Sequence, residues 1–148
     1  MNGKYTALCG LYCRDCIPSE EGLFELVNEL KEALDELQFE NYAELKSKTN
    51  PIFKEYQRFL EMLDAIARLK CKAPCTEGGC KIDCRIRPCV HEHNLSGCWE
   101  CANYRTCPFL EDLKKVHPNL EFHLGLIKDL GEEEWVSKRK KHYRWQKD

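Results

Sequence analysis

No apolar run in this chain of 148 residues approaches the ~18–20 needed to cross a bilayer, so a membrane-spanning protein is not expected. Met1-Asn2-Gly3-Lys4-Tyr5 contains no apolar stretch of the kind that opens a secretory signal, and a cytoplasmic location is expected. Apolar side chains are also scarce. Their share is 43%, but eleven of those residues are cysteines, and the remainder is thin for a self-sufficient core. The stretch from residue 71 to 107 is poorest, offering Ile82, Ile86, Val90, Leu95, Trp99 and Tyr104. Something other than hydrophobic burial has to hold it. Structural zinc contributes roughly 10–16 kcal/mol of apparent binding free energy, comparable with the ~5–15 kcal/mol stability of an ordinary domain.

What the chain has in excess is cysteine. Eight thiols lie between Cys71 and Cys107, at 71, 75, 80, 84, 89, 98, 101 and 107, and Cys9, Cys13 and Cys16 form a second tight group. An odd count with no sign of export argues for reduced thiols rather than a disulfide framework. A tetrahedral thiolate site needs four ligands, so three N-terminal cysteines must borrow from the distant group or from a histidine. The two groups are therefore expected to meet at metal. The expected ligands are Cys9, Cys13, Cys16, Cys75, Cys80, Cys84, Cys89, Cys98, Cys101 and Cys107, holding about two zinc ions in sites of the four-cysteine type.

The spacing Cys9, Cys13, Cys16 matches the cluster motif of radical S-adenosylmethionine enzymes, but those need a barrel of about 200 residues or more, which this short helical chain excludes. Zinc and iron–sulfur clusters both accept four thiolates. Cys107-Pro108 echoes the end of a ferredoxin run, yet Cys101 and Cys107 are too far apart to complete one. Mixed spacings favour zinc, with an iron–sulfur electron-transfer protein as the alternative. No catalytic constellation emerges: His91 and His93 flank Glu92 on a polar stretch, and His117, His123 and His142 stand alone in the sequence. A non-catalytic interaction module is the expected role, ahead of a zinc enzyme.

The formal charge of −2 hides a segregation. Residues 20–45 hold nine acids against the single Lys31, whereas Arg68, Lys70, Lys72, Lys81, Arg85 and Arg87 outnumber Glu77 and Asp83 over 68–91. Cations beside thiolates offset their charge and lower thiol pKa values. A protein partner is compatible with the acidic stretch. A nucleic-acid contact by the basic tail, Lys138 to Lys147, is conceivable but not favoured in an acidic chain.

The fold is expected to be mostly α: an antiparallel helix pair, an irregular cysteine-rich metal-binding region, and C-terminal helices. One metal-stabilised domain over 1–148 is expected, made of an N-terminal cysteine loop (1–18), the helix pair (19–70), the metal region (71–107) and the C-terminal helices (108–148). Ser19 is the expected N-cap of the first helix, whose apolar stripe is Leu23, Val27, Leu30, Leu34 and Leu37. A connector over 38–50 holds one helical turn around Tyr42 to Leu45. Asn50-Pro51 starts the second helix, with stripe Ile52, Tyr56, Phe59, Leu63 and Ile66. Cys80 and Cys84 fit one face of a short turn that Pro88 stops. Helices then follow from Phe109 to Val116, from Leu120 to a stop at Gly131, and from Glu132 through to Trp145. Helix pairing returns residue 70 towards residue 19, and with it Cys71 and Cys75 towards Cys13 and Cys16.

The ordered set Cys9-Gly10-Leu11-Tyr12-Cys13 with Cys16, Gly79-Cys80, Cys84-Arg85-Ile86-Arg87-Pro88-Cys89, and Cys98 to Cys101 with Cys107 resembles a cysteine-rich family of small bacterial and archaeal proteins without an assigned biochemical function. The resemblance spans roughly residues 7–110. It implies zinc binding and no particular activity. Cys71 fits the pattern least well.

Overall fold

The structure, a computed structural model, describes residues 3–79 and 83–147. Two compact units divide the chain: Met1–Ile17 together with Cys71–Asp148, and Pro18–Lys70. The described residues form seven α-helices linked by short 3-10 turns and no strand, one isolated antiparallel bridge pairing Thr6 with Tyr12. The fold is thus mostly α. No helix among the described residues is long and apolar enough to cross a membrane.

The unit Pro18–Lys70 contains α1 (Glu21–Glu36), α2 (Phe39–Lys46) and α3 (Tyr56–Ala67). Ser19 does not cap α1: it closes a 3-10 turn, Ile17–Ser19, and Glu20 takes the N-cap position without a side-chain cap. After Leu37 the chain turns at Gln38, which adopts φ +51° while its side-chain amide donates to the Asp35 carbonyl at 3.0 Å. The connector is more helical than periodicity indicates, since α2 runs over two turns rather than one. Asn50-Pro51 does open the next element, Asn50 Oδ1 accepting from the Ile52 N–H at 3.4 Å, although the first turn is 3-10 before α3 begins.

Lys31 on α1 pairs with Asp64 on α3, and Phe39, just past the end of α1, packs on Tyr56 at the start of α3 with ring centroids 5.3 Å apart. Contacts that rise along one helix and fall along the other make α1 and α3 antiparallel. Phe24, Val27, Ala43 and Leu63 are buried in this unit, with Leu34, Tyr56, Leu60 and Ile66 half-buried. The expected stripes are therefore corrected. Leu30, Leu37, Ile52 and Phe59 face solvent, while Phe24 and Leu60, outside both stripes, turn inward. Each helix carries apolar residues on two adjacent faces, and period alone does not choose between them.

The other unit contains α4 (Ile86–Glu92), α5 (Glu111–Val116), α6 (Leu120–Leu130) and α7 (Glu132–Lys138). Its core gathers Leu8, Leu11 and Tyr12 with Ile86, Val90, Trp99, Tyr104, Leu110, Leu120, Leu124, Ile127, Trp135 and Tyr143. Pro88 does not stop a helix; it sits in the first turn of α4, where a missing N–H costs nothing. Gly131, at φ +79°, ends α6 as expected. The last helix stops at Lys138, seven residues short of Trp145. Residues 139–147 instead run as irregular chain in which His142 and Tyr143 are buried.

Candidate metal centre

Cys9 lies in a tight loop. The Ala7 N–H donates to the Leu11 carbonyl and the Gly10 N–H to the Ala7 carbonyl, both at 2.7 Å. Gly10 has φ +84°, and a Cβ there would stand 2.6 Å from a Leu124 methyl, so only glycine lets this loop press against α6. The next cysteines frame a 3-10 turn, Cys13–Asp15, closed by the Cys16 N–H on the Cys13 carbonyl at 3.1 Å. The same turn recurs at Cys98–Glu100, where the Cys101 N–H reaches the Cys98 carbonyl at 3.1 Å. It recurs again at Cys75–Glu77 and at Tyr104–Thr106, the latter leading into Cys107. A two-residue spacing wound this way brings flanking thiols to one side of a compact turn.

Backbone hydrogen bonds bring the two cysteine groups together. The Cys98 N–H donates to the Leu8 carbonyl at 2.7 Å, tying the distant turn to the loop that carries Cys9. The Cys75 N–H points at Cys13 Sγ, 3.5 Å away, and Thr76 Oγ1 donates to the Lys4 carbonyl at 2.9 Å. An N–H directed at sulfur favours the thiolate. Gly97 permits the approach of Trp99, whose ring would stand 2.2 Å from any Cβ at 97.

Electrostatics places the described thiols in two overlapping neighbourhoods. Burial pushes the Cys9 thiol well above its ordinary pKa, and Cys75, Cys98 and Cys84 raise it further. Burial likewise pushes Cys98 up to about 12, with Cys107, Cys101, Cys89 and Cys84 adding to the effect. Burial and then Cys107 and Cys101 raise Cys89. Thiols so close together, with Cys98 buried and Cys9 and Cys89 half-buried, resist ionising unless a cation joins them, and a coordinated metal reverses the balance by deprotonating its ligands outright. None of the ten described cysteines is in a disulfide. Cys80 lies outside the described residues. Among the described residues no three His, Cys, Asp or Glu side chains converge closely enough, as placed, to hold one ion. The donor set is nonetheless of the right chemistry, all sulfur, and the backbone joins its two groups at Cys98 with Leu8 and at Cys75 with Cys13.

Three residues stand apart. The Cys71 thiol donates to the Ala73 carbonyl at 3.1 Å. His91 and His93 are exposed, His93 Nδ1 lying 2.8 Å from the carbonyl of Cys89 and 3.9 Å from its sulfur.

The C-terminal tail packs on the N-terminal cysteine turn, which the cysteine spacing does not indicate. Arg139 grips Asp15, between Cys13 and Cys16, with Nε on Oδ2 and Nη2 on Oδ1, both at 2.8 Å. Its guanidinium lies 3.9 Å above the Tyr12 ring. The Tyr12 N–H donates to His142 Nε2 at 3.3 Å, which assigns the proton to Nδ1, itself 3.1 Å from the Lys140 carbonyl. Burial pushes His142 down to about 4, so it is neutral at pH 7. Trp145 Nε1 reaches the Asp15 carbonyl at 3.4 Å. Burial first, then the nearby Cys16, Cys9 and Cys13, raises the pKa of the Tyr143 hydroxyl. The histidines are not isolated either: Trp135 Nε1 donates to His123 Nδ1 at 3.1 Å, and the His123 and His142 rings are 5.1 Å apart. The interleaving of Tyr143 and Trp145 with cations was the available signal.

The family described as protein of unknown function, DUF3795, has a model that matches residues 5–112, and the chain belongs to that family. No curated protein and no solved structure matches the chain. The matched stretch includes every cysteine and ends before the tail that grips the Cys13–Cys16 turn.

Proposed function

We propose that this member of the family is a structural zinc protein without catalytic activity. Zinc bound to four thiolates supplies a cross-link that holds loops together where apolar area is short. In this reading Cys9, Cys13, Cys16 and Cys75 supply one site and Cys89, Cys98, Cys101 and Cys107 the other, with Cys84 electrostatically close to Cys9 and Cys98 and Cys80 adjoining them in sequence. The observation that carries the reading is the Cys98 to Leu8 hydrogen bond together with the Cys75 N–H on Cys13 Sγ. Chain segments some sixty to ninety residues apart in sequence are joined beside thiols, in a unit whose apolar residues alone are few. Wound turns of mixed spacing support zinc over an iron–sulfur cluster.

The reading is tested by metal removal. A tight chelator at pH 7 should unfold the cysteine-bearing unit, shifting the emission of buried Trp99 and Trp135 to the red, and zinc alone should restore it. A chelated chain that keeps its emission spectrum and its melting temperature would overturn the proposal.

A further inference from the structure

The unit Pro18–Lys70 leaves an apolar face uncovered, and the helix register makes that face continuous. On α1, Leu26, Leu30, Ala33 and Leu37 follow at steps of four, three and four, all exposed, Leu26 by 65% and Leu37 by 72%. On α3 and just past its end, Phe59, Met62, Ile66 and Leu69 follow at steps of three, four and three; Met62 is 61% and Leu69 56% exposed, and Ile66 is half-buried. These stripes are distinct from the inward ones that carry Phe24, Val27, Leu60 and Leu63.

The register that sets Lys31 beside Asp64 and Phe39 beside Tyr56 sets Leu26 level with Leu69, Leu30 with Ile66, Ala33 with Met62, and Leu37 with Phe59. Each outer stripe is displaced from its inward stripe in the same sense about its own helix, by roughly a quarter to a third of a turn. Because the helices are antiparallel, that common rotation carries both stripes to one side of the pair. The result is a two-helix face of heptad type, the face a four-helix bundle buries.

We propose that a second copy of this chain covers this face, forming a four-helix bundle about a two-fold axis parallel to α1 and α3. Area supports the choice. At on the order of 100 Å² per exposed side chain, the face offers about 600 Å² per copy. Two copies bury roughly 1,200 Å², above the ~1,000 Å² that a specific interface needs. Charge supports it as well. Glu25, Glu29, Glu32 and Glu36 line the outer edge of the face on α1, while Arg58, paired with Glu55, and Arg68 line its outer edge on α3 with the single acid Glu61 between them. The two-fold lays α1 of one copy over α3 of the other, bringing Arg58 level with Glu36 and Arg68 level with Glu25 and Glu29 across the interface. The alternative axis, perpendicular to the helices, would stack one acidic α1 on another and is disfavoured by repulsion. The inference stands on this unit alone and does not depend on the metal reading.

The test is sedimentation velocity on the full chain as purified, at about 100 µM. A mass of two chains is expected. Leu26→Glu and Met62→Glu, each placing charge where both copies must desolvate it, should weaken association by roughly 100-fold or more with helicity by circular dichroism unchanged. Arg58→Glu with Arg68→Glu should weaken it too, and adding Glu29→Arg with Glu36→Arg should restore it. If an apolar-face variant loses helicity, this charge exchange decides in its place. A monomeric wild-type chain overturns the proposal, as does a dimer indifferent to both sets of variants. A wild-type chain that stays monomeric yet captures a different protein on this face overturns it equally.

Discussion

Replacing Asp15 by Asn tests the placement of the C-terminal tail on the N-terminal cysteine turn. Arg139 reaches Asp15 through two hydrogen bonds of 2.8 Å, and the side chains are 24% and 15% exposed. An exposed ion pair contributes up to about 1 kcal/mol, and breaking a fully buried one costs about 3–5 kcal/mol. This pair lies between, and Asn keeps one acceptor but turns an N–H towards the guanidinium, so a loss of about 2 kcal/mol is expected. For a chain of this size that is about 6 °C in melting temperature. The assay is thermal melting followed by circular dichroism in saturating zinc, because Asp15 lies between two proposed ligands. Arg139→Met, remote from them in sequence, should cost about the same. The double variant should lose little more than either single one, giving a coupling near 2 kcal/mol. Additive single effects, or an Asp15→Asn shift under about 2 °C, would refute the claim that residues 139–145 are folded onto the cysteine loop.

Three further outcomes are expected. His142 is held at about 4 against an ordinary 6.5, so the unfolded chain takes up its proton first as pH falls; stability is full above about pH 6.5 and drops by about 2 kcal/mol between pH 7 and 5. Denaturant midpoints at the two pH values measure this, and His142→Asn, which cannot titrate, should remove that share of the decline while leaving the share due to thiolate protonation. Gly97→Ala, forcing a Cβ to 2.2 Å from the Trp99 ring, should cost more than about 3 kcal/mol, whereas Gly78→Ala, at φ +87° with open space around it, should cost about 1 kcal/mol. Chemical denaturation of both variants separates steric from backbone cost, and equal losses would contradict the packing described at Gly97. Cys71→Ser should leave bound zinc unchanged because its thiol is turned to the Ala73 carbonyl, while Cys98→Ser should lose one ion; elemental analysis of the two variants distinguishes them.

Much of the helical frame was legible in the chain, because caps and stops act locally. Asn50-Pro51 opens an element and Gly131 closes one for reasons contained within four residues. The two cysteine groups were expected to approach one another, and the Cys75 N–H on Cys13 Sγ joins them. What periodicity could not supply was the choice between two apolar faces on α1 and α3, which the partner helix decides. It also could not see the tail. Trp135, Val136, His142 and Tyr143 share one side of a helical wheel and all four are buried, but the helix ends at Lys138. His142 and Tyr143 reach the core because Arg139, Tyr12 and Asp15 pin an irregular segment across about 130 residues of sequence. Contacts at that separation leave little local signature beyond the aromatic residues interleaved with the tail's cations.

The most direct test of the central claim is elemental analysis of the chain purified anaerobically without added metal. About two zinc ions per chain are predicted, with no visible chromophore. Iron accompanied by absorbance that bleaches on reduction, or a folded chain without metal, would contradict it.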